Sequence, residues 1–267
     1  MANINGSGNH DDEGEKDPKV VNFLTRAERE EIARKAERMQ DPAAFTARAR
    51  AEQKAEPIFN IPPATKYLSG LLILIHVVME FLPLPIKEQV LQFGAFLPQL
   101  YFTDMPLGEL DRIAAVVGPF GHMLLHGGWL HLAMNVFTLM AFGAGLEKEI
   151  GGKKFLLLFV VTGLAGAFTH LAYIAWFHPN DLSPLVGASG GISGLFGGVL
   201  MMAHGRGLMG EGYSKLLPFI GIWILISLFF GIFGMPGTGA AIAWTTHIGG
   251  FIAGLLLYRP IAKMNMR

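Results

Sequence analysis

The sequence predicts an all-α membrane protein, a bundle of six transmembrane helices behind a polar N-terminal extension. Three observations carry that prediction. Hydrophobic residues make up 51% of the 267-residue chain. The charges are unevenly placed: residues 1–65 hold 10 of the 21 Lys/Arg and 12 of the 21 Asp/Glu. Over the remaining 202 residues the charge density falls far below the soluble average of roughly one quarter. Finally, six apolar segments of about the length needed to cross a bilayer lie at 66–84, 120–145, 154–177, 185–204, 215–234 and 239–258. A formal net charge of +0 argues against a nucleic-acid partner, and the absence of cysteine excludes disulfides, thiol nucleophiles and thiolate metal sites. The first twenty residues are polar and acidic, so neither a signal peptide nor an Arg-rich transit peptide is expected there.

Residues 1–65 form the polar extension, 66–258 the membrane domain and 259–267 a basic tail. The Gly- and charge-rich stretch 1–20 is expected to be disordered. Thr25-Arg26-Ala27-Glu28 has the form of a capping box, and Arg, Lys and Glu interleave from Ala27 to about Gln40 as on a solvated helix. Pro57, Pro62 and Pro63 mark the hinge into the membrane domain. The stretch 85–118 reads as a long, apolar, Pro-punctuated loop lying in the outer interface, with Trp129 and Trp176 near the outer helix ends. Lys148, Lys153 and Lys154, then Arg206 and Lys215, then Arg259, Lys263 and Arg267 fall on one side, against Lys87 and Arg112 on the other. By the positive-inside rule both termini are cytoplasmic. A bacterial inner membrane is the expected location.

Gly187-Ala188-Ser189-Gly190 opens the fourth segment. A serine among such small residues serves either close helix packing or nucleophilic chemistry. Ser189 stands about four residues, roughly 6 Å, below the outer face. Intramembrane ionisable residues are functional candidates, and His247 in the sixth segment lies about 12 Å deep by the same rise, within a turn or so of Ser189. The pairs Gly187/Gly191, Gly190/Gly194 and Gly194/Gly198 in one segment, and Gly250/Gly254 in the other, would let the two backbones meet. His131 and Asn135 share a helix face and can both donate hydrogen bonds to an oxyanion. His126, five residues before His131, is expected to face elsewhere and to hold the outer loop. His122 and His126 have a spacing that a metal could use, but no carboxylate or thiol completes a site, and no cofactor is implied. A His-Glu-x-x-His motif is absent and no Asp falls within a segment, which excludes zinc and aspartyl protease chemistry. Glu80 reads as a local partner near an outer end, and Asp181 as a solvated loop residue.

Three motifs in order, His126-x4-His131-x3-Asn135, Gly187-Ala188-Ser189-Gly190 and His247-Ile248-Gly249-Gly250, resemble the rhomboid intramembrane serine proteases in their bacterial six-helix form. Glu147 and Gly151 also fit that family. The resemblance covers about 120–258 and implies a Ser189–His247 dyad with no third acid. It implies an oxyanion site built by His131, Asn135 and the Ser189 amide, with His126, Gly187, Gly190 and Gly250 as structural neighbours. Substrates would be single-span membrane proteins within the lipid bilayer, cut in or beside their transmembrane helices. The loop 85–118 and Gly234-Met-Pro-Gly-Thr-Gly239 would correspond to gating elements. Three departures stand out. Gly118-Pro119-Phe120 replaces the family's Trp-Arg loop anchor. Ser193 stands where some members carry an aromatic that packs on the catalytic histidine, which leaves Phe196 or Trp244 to hold His247. Gly191-Ile192-Ser193-Gly194 is a second Gly-x-Ser-Gly. Two rivals remain: an inactive rhomboid-like protein that binds clients, which as a rule loses residues this chain keeps, and a proton-relaying transporter, which should show inverted repeats.

Overall fold

The computed structural model describes residues 25–40, 61–102, 106–234 and 243–266. The chain divides into two compact units, Met1–Asn60 and Ile61–Arg267. In the first, α1 (Arg26–Gln40) begins at the expected capping box. The Thr25 amide donates to Glu28 Oε2 at 2.7 Å, the Thr25 hydroxyl donates to the same oxygen at 2.8 Å, and the Glu28 amide donates to Thr25 Oγ1 at 3.3 Å. These bonds hold the Glu28 carboxyl below the usual carboxylate range. The expected disorder of 1–20 and the Pro57 hinge lie outside the described residues.

All regular elements described in the second unit are helical: α2 (Pro63–Phe81), α3 (Leu84–Gly94), α4 (Glu109–Gly121), α5 (Trp129–Ile150), α6 (Gly152–Phe177), α7 (Ser189–Gly205), α8 (Leu217–Phe233) and α9 (Trp244–Lys263). Each of the six predicted segments overlaps one of these, namely α2 and α5–α9. Four helical stretches are long and apolar enough to cross a membrane: Pro63–Phe81, Trp129–Ile150, Gly152–Phe177 and Tyr213–Phe233. They present Leu225, Ile232, Phe233 and Trp176 outward, an apolar surface far larger than a water-soluble monomer exposes.

The 17-residue α7 lies at the centre, packed on α5, α6 and α9. Its sequence accounts for that position. Gly191 abuts the Phe159 ring, Gly194 the Thr162 side chain, and Gly198 the side chains of Leu158 and Leu146. On α9, Gly250 faces the Gly190 carbonyl and Gly254 the Gly194 carbonyl, so the matched four-residue spacings bring two backbones into contact. A β-carbon at Gly254 would strike main chain, which cannot swing aside, whereas one at Gly70 on α2 meets nothing within 4 Å. Gly254→Ala is therefore expected to destabilise the bundle by about 2–3 kcal/mol. Gly70→Ala should be neutral or gain up to about 1 kcal/mol. Thermal unfolding of the two variants in one detergent checks both.

Glu147 provides the start of α2 with a cap from another helix. Proline at the N-cap and at the first helical position leaves α2 without a side-chain cap of its own. The buried Glu147 carboxylate of α5 accepts the amides of Ala64 at 2.8 Å and Thr65 at 2.6 Å, together with the Thr65 hydroxyl at 2.8 Å. A negative charge at a helix N-terminus also has the favourable sign. At the same end of the unit, Lys154 Nζ donates to the Ala262 carbonyl at 2.6 Å, Arg206 pairs with Glu149, and Arg259 donates to the Tyr213 hydroxyl at 3.0 Å.

Three sequence expectations are corrected. The second segment does not begin at 120: residues 109–121 belong to α4, His122–Leu124 form a 3-10 turn, and α5 starts at Trp129. Pro119 near the end of α4 and the Gly127-Gly128 pair break a run that hydropathy alone reads as continuous. Next, 85–118 is largely a helical hairpin, in which Gly118 and Gly121 of α4 rest on the carbonyls of Ala95 and Gly94. Finally, α9 continues through Arg259 and Pro260 to Lys263, so the basic tail begins as helix.

Candidate active site

The α3–α4 hairpin is tied to the strand-like lead into α7. Phe96 and Leu185 exchange both backbone hydrogen bonds, at 3.0 and 2.9 Å. The fully buried Phe96 ring stacks on Tyr101 at 5.2 Å, and the Tyr101 hydroxyl donates to the Ala115 carbonyl at 2.6 Å. With no Trp-Arg pair present, these contacts anchor the loop. The Gly187 amide then donates to the His122 carbonyl at 2.7 Å, while His122 is itself buried with Nδ1 3.2 Å from the Gly118 carbonyl.

Ser189 is the first residue of α7, after Ala188 in helical conformation and Gly187 at φ +125°. At a helix start the amides of Ser189 and its successors have no intrahelical acceptor, and they point toward an incoming negative charge. Gly187 is required twice over: its φ lies in the left-handed region, and a β-carbon there would lie 2.8 Å from Cε1 and Nε2 of His131. The same point is 3.7 Å from the Ser189 hydroxyl, so the imidazole edge and Oγ converge on one place. The Gly127 amide donates to His131 Nδ1 at 3.4 Å. A neutral ring bonded in this way carries its proton on Nε2, the nitrogen that faces Gly187 and Ser189.

Asn135 lies one turn along α5, buried, with Nδ2 donating to the His131 carbonyl at 2.9 Å and, among the described residues, no second acceptor for its amide. His126 is not on α5, so helical angle does not decide its direction; its ring meets His131 edge-on at 5.2 Å. Behind it His76 lies 6.4 Å away and itself packs on Trp129 at 4.7 Å. Ser193 is fully buried and donates to the Ser189 carbonyl at 2.7 Å, which commits its hydroxyl to the helix.

His247 is the fourth residue of α9. The contacts of Thr246 with Gly190, and of Gly250 with the Gly190 carbonyl, set Ser189 and His247 at one level on touching helices. No hydrogen bond joins the two side chains. Neither Phe196 nor Trp244 packs on His247 among the described residues: Phe196 stacks with Phe142, Trp223 and Phe251, and Trp244 meets Tyr173 at 5.5 Å.

The family model described as Rhomboid domain matches residues 115–263, which hold Ser189, His247, His131 and Asn135. The chain belongs to the rhomboid family. It is 33% identical over 161 residues to RHOMBOID-like protein 4 of Arabidopsis thaliana, covering 58% of this chain and 38% of that protein. To RHOMBOID-like protein 5 of the same plant it is 32% identical over 185 residues, 66% of this chain and 55% of the relative. To Rhomboid protease GluP of Bacillus subtilis it is 30% identical over 132 residues, 49% of this chain and 23% of the relative. The chain thus spans about half or less of the length of these relatives. Family and apolar helices together make this rhomboid a multi-pass membrane protein.

Among the described residues of this rhomboid no group of His, Cys, Asp or Glu could hold a metal ion, and the His122/His126 spacing is used in packing. Asp181 is exposed. Its Oδ1 accepts the Ser183 amide at 2.9 Å, and Ser183 holds its carboxyl below the usual range, in keeping with a solvated loop acid. Glu80 pairs with Lys87 at 3.1 Å. One contact near the site was missed from sequence: His170 Nδ1 to Thr245 Oγ1 at 2.8 Å, joining α6 to the first turn of α9. The rule that singled out His247, an ionisable residue within an apolar segment, would have found His170 too.

Proposed function

We propose that this rhomboid is an intramembrane serine endopeptidase that hydrolyses peptide bonds in or next to the transmembrane helices of single-span membrane proteins. The observation that carries the reading is the convergence of the Ser189 hydroxyl and the Nε2 edge of His131 on one point beside Gly187. A nucleophile at a helix start with a second donor aimed at the same place is the arrangement acyl transfer needs. His247 takes the Ser189 proton as Oγ attacks the scissile carbonyl. The tetrahedral oxyanion is held by the Ser189 amide, His131 Nε2 and the second amide proton of Asn135. His247 then protonates the leaving amine, and water hydrolyses the acyl-serine with His247 again as base. Catalytic hydrogen bonds in a ligand-free site are often long and tighten only when substrate binds, so an open Ser189–His247 distance is compatible with this chemistry.

We place α2 and α5–α9 across the membrane, with the two shorter or less apolar members shielded by the others. The clustering of Lys148, Lys153, Lys154, Arg206, Lys215, Arg259 and Lys263 at one end supports a cytoplasmic position for that end and an outward one for Ser189. Substrate entry would fall beside α8, which buries only Ser227 among its residues. Of the Gly-rich connection after it, only Gly234 is described.

The test is cleavage of a fluorescently labelled single-span protein by the purified chain in lipid. Ser193→Ala should cleave like the wild type, since Ser193 only bonds its own helix. Labelling by a fluorophosphonate should disappear in Ser189→Ala and persist in Ser193→Ala. Cleavage that survives Ser189→Ala would overturn the reading, and a folded wild type that binds the substrate without cutting it would favour an inactive client-binding rhomboid.

A further inference from the structure

We infer that His170 is a positioning residue for the catalytic base, acting through Thr245; this rests on the dyad proposed above. A dyad with no third acid has no carboxylate to orient its imidazole, so the backbone carrying His247 must itself be held within a fraction of an ångström. Among the described residues, the first turn of α9 is short of local means for this. Its N-cap residue is Ala243, which supplies no side-chain hydrogen bond. The position where an aromatic could pack on His247 is Ser193, turned into its own helix, and neither Phe196 nor Trp244 substitutes.

Tertiary contacts do the holding. Thr246 is wedged between two glycines, its carbonyl 2.5 Å from a β-carbon position at Gly166 and its Cγ2 2.7 Å from one at Gly190. Trp244 lies on Gly231. These contacts set the depth of the turn but supply no polar register. The hydrogen bond between His170 Nδ1 and Thr245 Oγ1, 2.8 Å long and with Thr245 buried, supplies it two residues before His247. Among the described residues it is the single side-chain to side-chain hydrogen bond between α6 and α9; Lys154 to the Ala262 carbonyl fastens the opposite end. Because a threonine hydroxyl both donates and accepts, the latch survives either protonation state of His170.

The latch predicts which substitutions matter. Asparagine presents its amide where a histidine presents Nδ1, so His170→Asn should keep kcat within about threefold while His170→Leu loses the bond. Thr245→Val keeps the shape and removes the hydroxyl; Thr245→Ser restores it. His170→Leu and Thr245→Val should each lower kcat by about 10- to 100-fold with KM unchanged, the scale of a small misplacement of a catalytic group. The double variant should be no slower than either single one, because both break one bond. The experiment is steady-state cleavage of the labelled single-span substrate by these five variants and His247→Ala, with thermal unfolding in the same detergent. A kcat of His170→Leu and Thr245→Val equal to the wild type, with His247→Ala inactive, overturns the latch and leaves the dyad standing. Additive losses, or losses that track a lowered unfolding temperature and are not relieved by His170→Asn and Thr245→Ser, also overturn it. Cleavage that survives His247→Ala overturns both.

Discussion

Alanine at Ser189 or at His247 is expected to lower kcat by about 10⁴-fold or more, and the double variant is expected to be no slower than either. The reason is that in the proposed mechanism the two groups perform one step. Without the imidazole the Ser189 hydroxyl stays protonated and is a poor nucleophile; without the hydroxyl the imidazole has nothing to activate. Removing the second partner then removes nothing that was still working. His131→Ala should behave differently, with a loss of about 10²- to 10³-fold, since on the proposed mechanism it removes one oxyanion donor and leaves the Ser189 amide and Asn135 in place. Single-turnover cleavage of a labelled single-span substrate separates these cases, with substrate capture by the inactive variants showing that binding is intact. Multiplicative losses at Ser189 and His247 would mean that they do not act as a unit.

Glu147→Gln is expected to cost about 3 kcal/mol or more of stability, with little direct effect on chemistry. The carboxylate receives three donors, two amides of the α2 start and the Thr65 hydroxyl, at a site only 6% exposed. Glutamine offers one acceptor oxygen and turns an N–H toward groups that also donate, so a buried amide loses its partner. Truncating one side of a buried charged network typically costs about 3–5 kcal/mol because the other side is left without water. The contrast is Glu149→Gln, which breaks a pair with the exposed Arg206 and should cost about 1 kcal/mol or less. Unfolding in detergent, followed by temperature or denaturant, reads both. Equal stability of Glu147→Gln and wild type would show that the α2 amides do not depend on this carboxylate.

How much could be read from sequence varied with the range of the interaction. Apolar runs located α2 and α5–α9, four of which coincide with stretches long and apolar enough to cross a membrane, because hydropathy acts on each segment separately. The Thr25 capping box was legible because both of its residues lie within one turn. The start of α5 was misplaced by nine residues because 120–128 is apolar without being part of that helix. The α3–α4 hairpin went unread since its glycines signal a close approach only once the carbonyls of Gly94 and Ala95 are known to lie opposite them.

By itself the sequence determined that this is a helical membrane protein, which intramembrane side chains could carry chemistry, and which glycines would bring two helices together. Those properties reside in single residues and fixed spacings. Only the tertiary structure decided that His126 backs His131, that Ser193 is spent on its own helix, that Glu147 caps α2 and that His170 bonds Thr245. Each of the last two links residues 75 or more positions apart. Which polar group meets which at that range is set by how the helices are rotated and staggered against one another. The close contact between the glycines of α7 and α9 is part of the packing that fixes that rotation.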